Sequence, residues 1–207
     1  MPEFVGKGLK AKLAYREIAR IHLQCINKGF LPKLGERFLT LLYKSIDEDP
    51  NSIIFVERKE GQVVAFVAGG RGMRSIYRQM LWYWPNLLAV LLPALFNPFK
   101  LKRIIEIIMF SQRQKLVLNS PKAELFSIAV LDSERGRGLA AGLYDALKQH
   151  FTEKGESAFC IVVGNRLISA HHFYQRMGAT PIARLQVHKG ELSILYRQNL
   201  SGSVSRS

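Results

Sequence analysis

The first fifty residues carry two stretches in which apolar side chains return every three or four positions. Ile18, Ile21, Cys25 and Ile26 do so within 13–27, and Phe38, Leu41, Leu42 and Ile46 within 34–46. That spacing puts each set on one helical face, so it predicts two amphipathic helices. Gly29-Phe30-Leu31-Pro32 breaks the first, and Asp47-Glu48-Asp49-Pro50 stops the second. The period then changes. Ser52–Val56 and Gln62–Gly70 are nearly continuous apolar runs on either side of Lys59-Glu60-Gly61, which predicts a buried hairpin. Further on, Leu125–Leu131 predicts a strand, and Leu139, Leu143, Leu147 and Phe151 fall at helical spacing. Ser157–Val163 reads as another buried strand. Residues 166–177 read as a helix that Gly178 ends, and Ile182–His188 with Leu192–Arg197 as a final hairpin around Lys189-Gly190.

Between the first hairpin and the strand at Leu125 lie about fifty residues that belong to neither, Arg71 to Pro121. They contain the aromatic run Met80–Phe96 and a second apolar segment, Leu101–Phe110. A membrane-spanning helix needs about twenty uninterrupted apolar residues, and Pro85, Asn86, Pro93, Asn97 and Pro98 break this one. Its flanks are basic, with Arg71, Arg74, Arg78, Lys100, Lys102, Arg103, Arg113 and Lys115 opposed only by Glu106. Apolar residues bracketed by cations suit the interface of an anionic membrane. A helical pair packed on the domain's own core, or a homodimer interface, is the other reading and the one favoured here, since exposed apolar patches are uncommon.

Length and composition narrow the class. A chain of 207 residues with 48% apolar content is expected to form one domain over residues 1–200, with a polar, disordered tail at 201–207. Its only cysteines, Cys25 and Cys160, sit in apolar segments and read as free thiols of a reducing compartment. The N-terminus lacks an apolar core followed by a cleavage site, so a cytoplasmic location is expected, at most peripheral to the inner membrane face. Thirty Lys and Arg against sixteen Asp and Glu give a net charge of +14, which favours an anionic partner. The charge is scattered and no nucleic-acid-binding motif occurs, so nucleic acid is not expected among its partners.

The chemistry concentrates at Arg135-Gly136-Arg137-Gly138-Leu139-Ala140, between a predicted strand and a predicted helix. Amides at a helix start lack intrahelical acceptors, and glycines let an anion approach them. Arg135 and Arg137 add positive charge, so the turn suits a pyrophosphate. It is not a P-loop, because no Gly-Lys-Ser/Thr follows. It is not a dinucleotide fingerprint either, since Leu139, Ala140 and Ala141 occupy the positions after Gly138 and no acidic residue closes a second strand. A plain strand-to-helix turn is the alternative reading of the glycines alone.

Two motifs in order decide between them. The turn matches a Q/R-x-x-G-x-G/A signature, and Asn165, Ala170, Phe173-Tyr174 and Met177-Gly178 follow as N…A…(F/L)Y…G. In this the chain resembles the GNAT superfamily of N-acetyltransferases over residues 122–180. The resemblance implies an α+β, three-layer fold: a mixed, mostly antiparallel sheet of about seven strands flanked by helices. Residues 71–121 depart from it, as a helical insertion between the third and fourth strands where the family usually has a short turn. The resemblance also implies acetyl-CoA as acyl donor, no metal, and direct attack by an amine in a ternary complex. The pantetheine arm would lie along the fourth strand at Ile128, Ala129 and Val130, in a V left where that strand parts from its neighbour. Arg135 to Ala140 would hold the pyrophosphate, Asn165 would bond the cofactor, and Ala170 would leave it room.

Tyr174 matches the family's thiolate-protonating position, although by itself a tyrosine on an amphipathic helix is usually core filler. Glu124, six residues before Val130, stands where the histone-acetylating branch has its general base, and pairing with Lys122 or an insertion residue is the competing reading. His22 is expected as a partly buried structural residue, and neither His171 nor His172 belongs to a ligand set. The acceptor reads as a small or lipid-linked amine, such as an amino sugar, with the 28–33 loop on its side of the cleft. Protein lysine or N-terminal acetylation is the alternative, as is a non-catalytic module that binds acyl-CoA or a membrane through 72–115.

Overall fold

The continuous apolar runs of the hairpin arise because both faces of its strands are covered. β2 (Ser52–Lys59) and β3 (Gln62–Gly70) place Ile54, Val56, Phe66 and Ala68 in one core, and Phe55, Ala65 and Val67 in another. A strand buried on both sides cannot alternate apolar with polar residues. The computed structural model describes residues 1–5, 9–27, 31–85, 87, 121–188 and 191–200. The loop positions 28–30, the insertion beyond 87 up to 120, and the tail at 201–207 lie outside the described residues.

The remaining strands are β1 (Glu3–Phe4), β4 (Ala123–Val130), β5 (Ala158–Gly164), β6 (Thr180–His188) and β7 (Glu191–Asn199). They form one sheet of seven in the order β1-β2-β3-β4-β5-β7-β6. Every pairing is antiparallel except β4 with β5. This is the α+β, mostly antiparallel seven-stranded sheet that the resemblance implies; six of its strands are read from the residue pattern, with ends shifted by up to three residues, whereas β1 is not.

Helices α1 (Leu9–Cys25) and α2 (Gly35–Glu48) pack on one face. Ile18, Leu39, Tyr43 and Ile46 of that layer are all within 1% of complete burial. The insertion opens with α3 (Arg74–Trp82), whose Ile76 and Met80 join the same core. To that extent the start of the insertion packs on the domain itself, while Leu81, Trp82 and Trp84 stay exposed. Among the described residues, no helix is long and apolar enough to cross a membrane.

The opposite face is covered by α4 (Leu139–Glu153) and α5 (Ile168–Arg176). Here Leu143, Tyr144, Leu147 and Phe159 are completely buried, with Tyr174 and Tyr196 nearly so. Both cysteines are free, Cys160 buried and Cys25 half-buried.

Two irregularities around β4 position the site. Val67 pairs with Ile128 and Ala68 with Ser127, but Gly69 pairs with Leu125, so Phe126 is an extra residue. This is a β-bulge, which turns two successive side chains to one face. The backbones crowd there: a Cβ on Gly69 would stand 2.9 Å from the Glu124 carbonyl oxygen. The second irregularity is that β4 and β5 pair only at Ala123–Phe159, Glu124–Cys160 and Leu125–Ile161. Beyond Leu125 they separate into a fork.

Candidate active site

The edge of β4 at the fork follows from ladder alternation. Leu131 N–H donates to the Val64 carbonyl at 3.0 Å, so Leu131, Ala129 and Ser127 form the hydrogen-bonded pairs with β3. The backbone groups of Ile128 and Val130 therefore point the other way, toward the side that β5 has left. The Val130 carbonyl is met there by the Cys25 thiol at 3.4 Å. Ala129 directs its own groups to β3, between the two that face the fork.

Past β4, a short 3-10 turn at Asp132–Glu134 leads into the glycine-rich stretch. Gly136 and Gly138 both have φ +78°, a left-handed conformation that costs an L-residue about 1–2 kcal/mol. A Cβ on either would meet nothing within 4 Å. Backbone conformation therefore selects glycine here, and the space beside both residues is open. Gly138 is the N-cap of α4 and no side chain caps the helix. The first-turn amides of α4 thus lack side-chain partners at their positive dipole end.

The charges of this turn are organised by one buried carboxylate. Glu134 is 7% exposed and takes Lys59 Nζ at 2.8 Å and Arg137 Nη1 at 3.2 Å. The hydrogen bond from Lys59, with Arg137's charge adding to it, holds the Glu134 carboxyl below its ordinary range. Arg135 pairs with exposed Asp132 at 2.8 Å. Both arginines keep exposed side chains beside the glycines.

On the α1–α2 face the fork opens into a cavity of about 450 Å³. Its walls come from both arms: Glu124, Leu125, Phe126 and Ser127 from β4, and Cys160 and Val162 from β5. Leu31, Leu42, Ile46 and Met73 supply further apolar surface, and exposed Arg71 and Lys122 stand at its rim. Glu124 is half-buried and its charge is felt across the cavity. Tyr77 is pushed up to about 12 by burial and then by Glu124, and Cys160 up to about 11 by the same two causes.

Tyr174 lies on the other face. Its ring packs against Phe173, Tyr144 and Tyr196 at centroid distances of 5.2, 6.0 and 6.3 Å. Burial raises its phenol well above the ordinary tyrosine range, so it stays protonated at neutral pH. Asn165 is exposed just after β5, its N–H held by the Leu192 carbonyl at 2.9 Å. Ala170 is half-buried on α5 against the second core.

The sequence pattern did not single out Ser127, Tyr43 or Tyr77, and it gave His22 only a structural part. A regular strand would send Ser127 to the same face as Leu125; the bulge at Phe126 sends it to the cavity instead. Among the described residues, no group of three or more His, Cys, Asp or Glu is placed to hold a metal ion.

An acetyltransferase model, described as the GNAT family, matches residues 16–179. The chain belongs to the GNAT acetyltransferase family. A search of curated proteins finds no match, whereas solved structures share the fold along the whole chain. An N-acetyltransferase from Staphylococcus aureus Mu50 superposes with a TM-score of 0.61 at 16% identity, covering 97% of this chain and 98% of that one. The ribosomal-protein-S18-alanine N-acetyltransferase from Escherichia coli gives 0.58 at 13% identity, covering 100% and 99%. An aminoglycoside 6'-N-acetyltransferase complexed with coenzyme A gives 0.59 at 9% identity, covering 97% of each. At such identities the likeness is one of fold. Family membership makes this GNAT protein an N-acetyltransferase with acetyl-CoA as its acyl donor.

Proposed function

We propose that this GNAT acetyltransferase moves the acetyl group of acetyl-CoA directly onto a small primary amine held in the cavity on the α1–α2 face. The observation that carries this reading is that the cavity and the open edge of β4 meet where β4 leaves β5. The pyrophosphate lies on the α4 amides between Arg135 and Arg137, and the pantetheine arm pairs with the Ile128 and Val130 backbone as an added strand. Asn165 bonds the cofactor from the end of β5, and Ala170 leaves it room. The amine approaches from the other face, so donor and acceptor meet only at the fork.

In the transfer, the amine nitrogen bonds to the thioester carbonyl carbon and the carbon–sulfur bond breaks. Glu124 takes the proton released by nitrogen, directly or through one water, and Tyr174 supplies one to the departing thiolate. A backbone N–H on the open edge of β4 stabilises the carbonyl oxygen as it gains charge. The cavity volume of about 450 Å³ is that of a small-molecule site. Its largely apolar lining favours an amine on an apolar body over a polyhydroxylated amino sugar, and the cationic rim favours an anionic group farther out.

Calorimetric titration with acetyl-CoA, followed by thiol release over a panel of amines, tests the reading. The panel holds 2-phenylethylamine, glucosamine, an alanine-terminated peptide and a lysine peptide. Binding with turnover on 2-phenylethylamine is the expected result. Turnover confined to the peptides would make it a protein acetyltransferase, and binding with no turnover a non-catalytic module.

A second reading concerns the start of the insertion. Leu81, Trp82 and Trp84 are 60, 83 and 65% exposed beside Arg74 and Arg78, which supports peripheral contact with an anionic bilayer. Flotation with phosphatidylserine vesicles should fall in Trp82→Ala/Trp84→Ala; equal partitioning removes the idea.

A further inference from the structure

The chemistry above leaves one buried polar chain unused. Nδ1 of His22 on α1 is 2.6 Å from the Tyr43 hydroxyl on α2, and that hydroxyl is 3.0 Å from Ser127 Oγ on β4. His22 is 4% exposed and Tyr43 1%, yet with Ser127 they border the cavity. Leaving such groups unpaired in a core costs about 1–3 kcal/mol each, so the three are tied to one another. The chain ends at the wall where the amine must sit.

Its direction can be assigned. Burial lowers His22 to about 4, so the ring is neutral at physiological pH and carries one acceptor nitrogen. A phenol is a stronger acid than a neutral imidazole N–H, so Tyr43 O–H donates to Nδ1. The Tyr43 oxygen then accepts from Ser127 O–H. Ser127 Oγ is left with its lone pairs available, which makes it an acceptor on the cavity wall.

Resting on the acetyl-transfer reading, we propose that Ser127 Oγ and the Glu124 carboxylate form a two-acceptor clamp that orients the attacking amine and selects primary over secondary amines. A primary amine has two N–H groups. With one given to Ser127 and the other to Glu124, its lone pair is aimed at the thioester carbon. A secondary amine has one N–H and places a substituent where the second acceptor needs a proton. Three positions of strand span about 10 Å; the bulge shortens this, and the glutamate arm or one water closes the rest. Ser127 touches the substrate, whereas Tyr43 and His22 are positioning residues that keep the serine an acceptor. The hydroxyls end the cycle with the protons they began with, since the proton lost by nitrogen goes to Glu124.

The test measures kcat/KM for each amine of the panel and for its N-methyl counterpart, in wild type, Ser127→Ala, Ser127→Thr and Tyr43→Phe. Wild type should prefer the primary amine at least tenfold. Ser127→Ala and Tyr43→Phe should bring the ratio to within about threefold of parity, by lowering the primary amine alone. Ser127→Thr, which retains the hydroxyl, should restore it. Acetyl-CoA affinity and melting temperature identify any variant whose fold has been lost; Tyr43→Phe and Ser127→Ala fail independently of each other on that count. A ratio unchanged in a folded variant, or a wild type without the preference, removes the clamp and leaves acetyl transfer standing. Turnover with none of the amines removes both.

Discussion

Two buried histidine–tyrosine pairs stand on opposite faces of the sheet, and they differ in what lies beyond them. His171 Nδ1 is 2.8 Å from the Tyr196 hydroxyl, and its Nε2 is held by the Gly164 carbonyl at 3.2 Å. That pair ties α5 to β5 and β7, and it closes on itself inside the aromatic core with Tyr174 and Tyr144. His22 and Tyr43 are as close, but their chain runs on to Ser127 and the cavity wall. One arrangement satisfies polar groups for the fold's sake; the other reaches a serine hydroxyl on the cavity wall. Chemical type and burial are nearly the same, so the neighbours decide which pair is structural.

The contrast fails at once if the open face has no chemistry. Glu124→Gln is expected to lower kcat about a hundredfold or more, with acetyl-CoA affinity unchanged by calorimetry. Full activity in that variant would take the carboxylate out of the mechanism.

Next in size is an effect of pH on folding that belongs to His22. Its proton is bound near 6.5 in the unfolded chain and only near 4 in the folded one. The unfolded state therefore gains protons first as pH falls. Stability should be full above about pH 6.5 and should decline toward pH 4, by a limit on the order of 3 kcal/mol. Denaturant unfolding at several pH values should show this decline, and His22→Gln should flatten it. An equally steep decline in the variant would assign it to other groups.

On the closed side, Tyr174→Phe tests whether that aromatic core carries any chemistry. Turnover should fall tenfold or more, with donor binding kept. The smallest expected change is in the closed pair itself. Tyr196→Phe should cost about 1 kcal/mol of stability by removing one buried hydrogen bond, and leave the primary-to-secondary amine ratio where it was. A shift in that ratio would mean the two pairs are not separable.

Much of this protein is legible in its residue order. Helical spacing in 13–27, 34–46 and 139–151 and the continuous runs of the first hairpin follow from local periodicity, which depends only on which residues must face a core. The glycine-rich turn is legible too, because left-handed backbone just before a helix start selects glycine at a few adjacent positions. Glu124 and Tyr174 stand out only through a family pattern. Nothing local distinguishes a strand-end glutamate or a helical tyrosine from ordinary surface and core residues.

What the chain order hides is what depends on register and on distance in sequence. Tyr43 and Ser127 are 84 positions apart, so no window contains their hydrogen bond. Ser127 faces the cavity only because Phe126 is bulged against Gly69, and a bulge is a property of two paired strands. The parting of β4 from β5 is likewise an absence of pairing, which neither strand encodes alone. Near neighbours along the chain set the elements, the glycine-rich turn and the family pattern, so these can be read from residue order. Which polar groups line the cavity is settled by the folded chain, because those contacts are made only when distant segments close on one another.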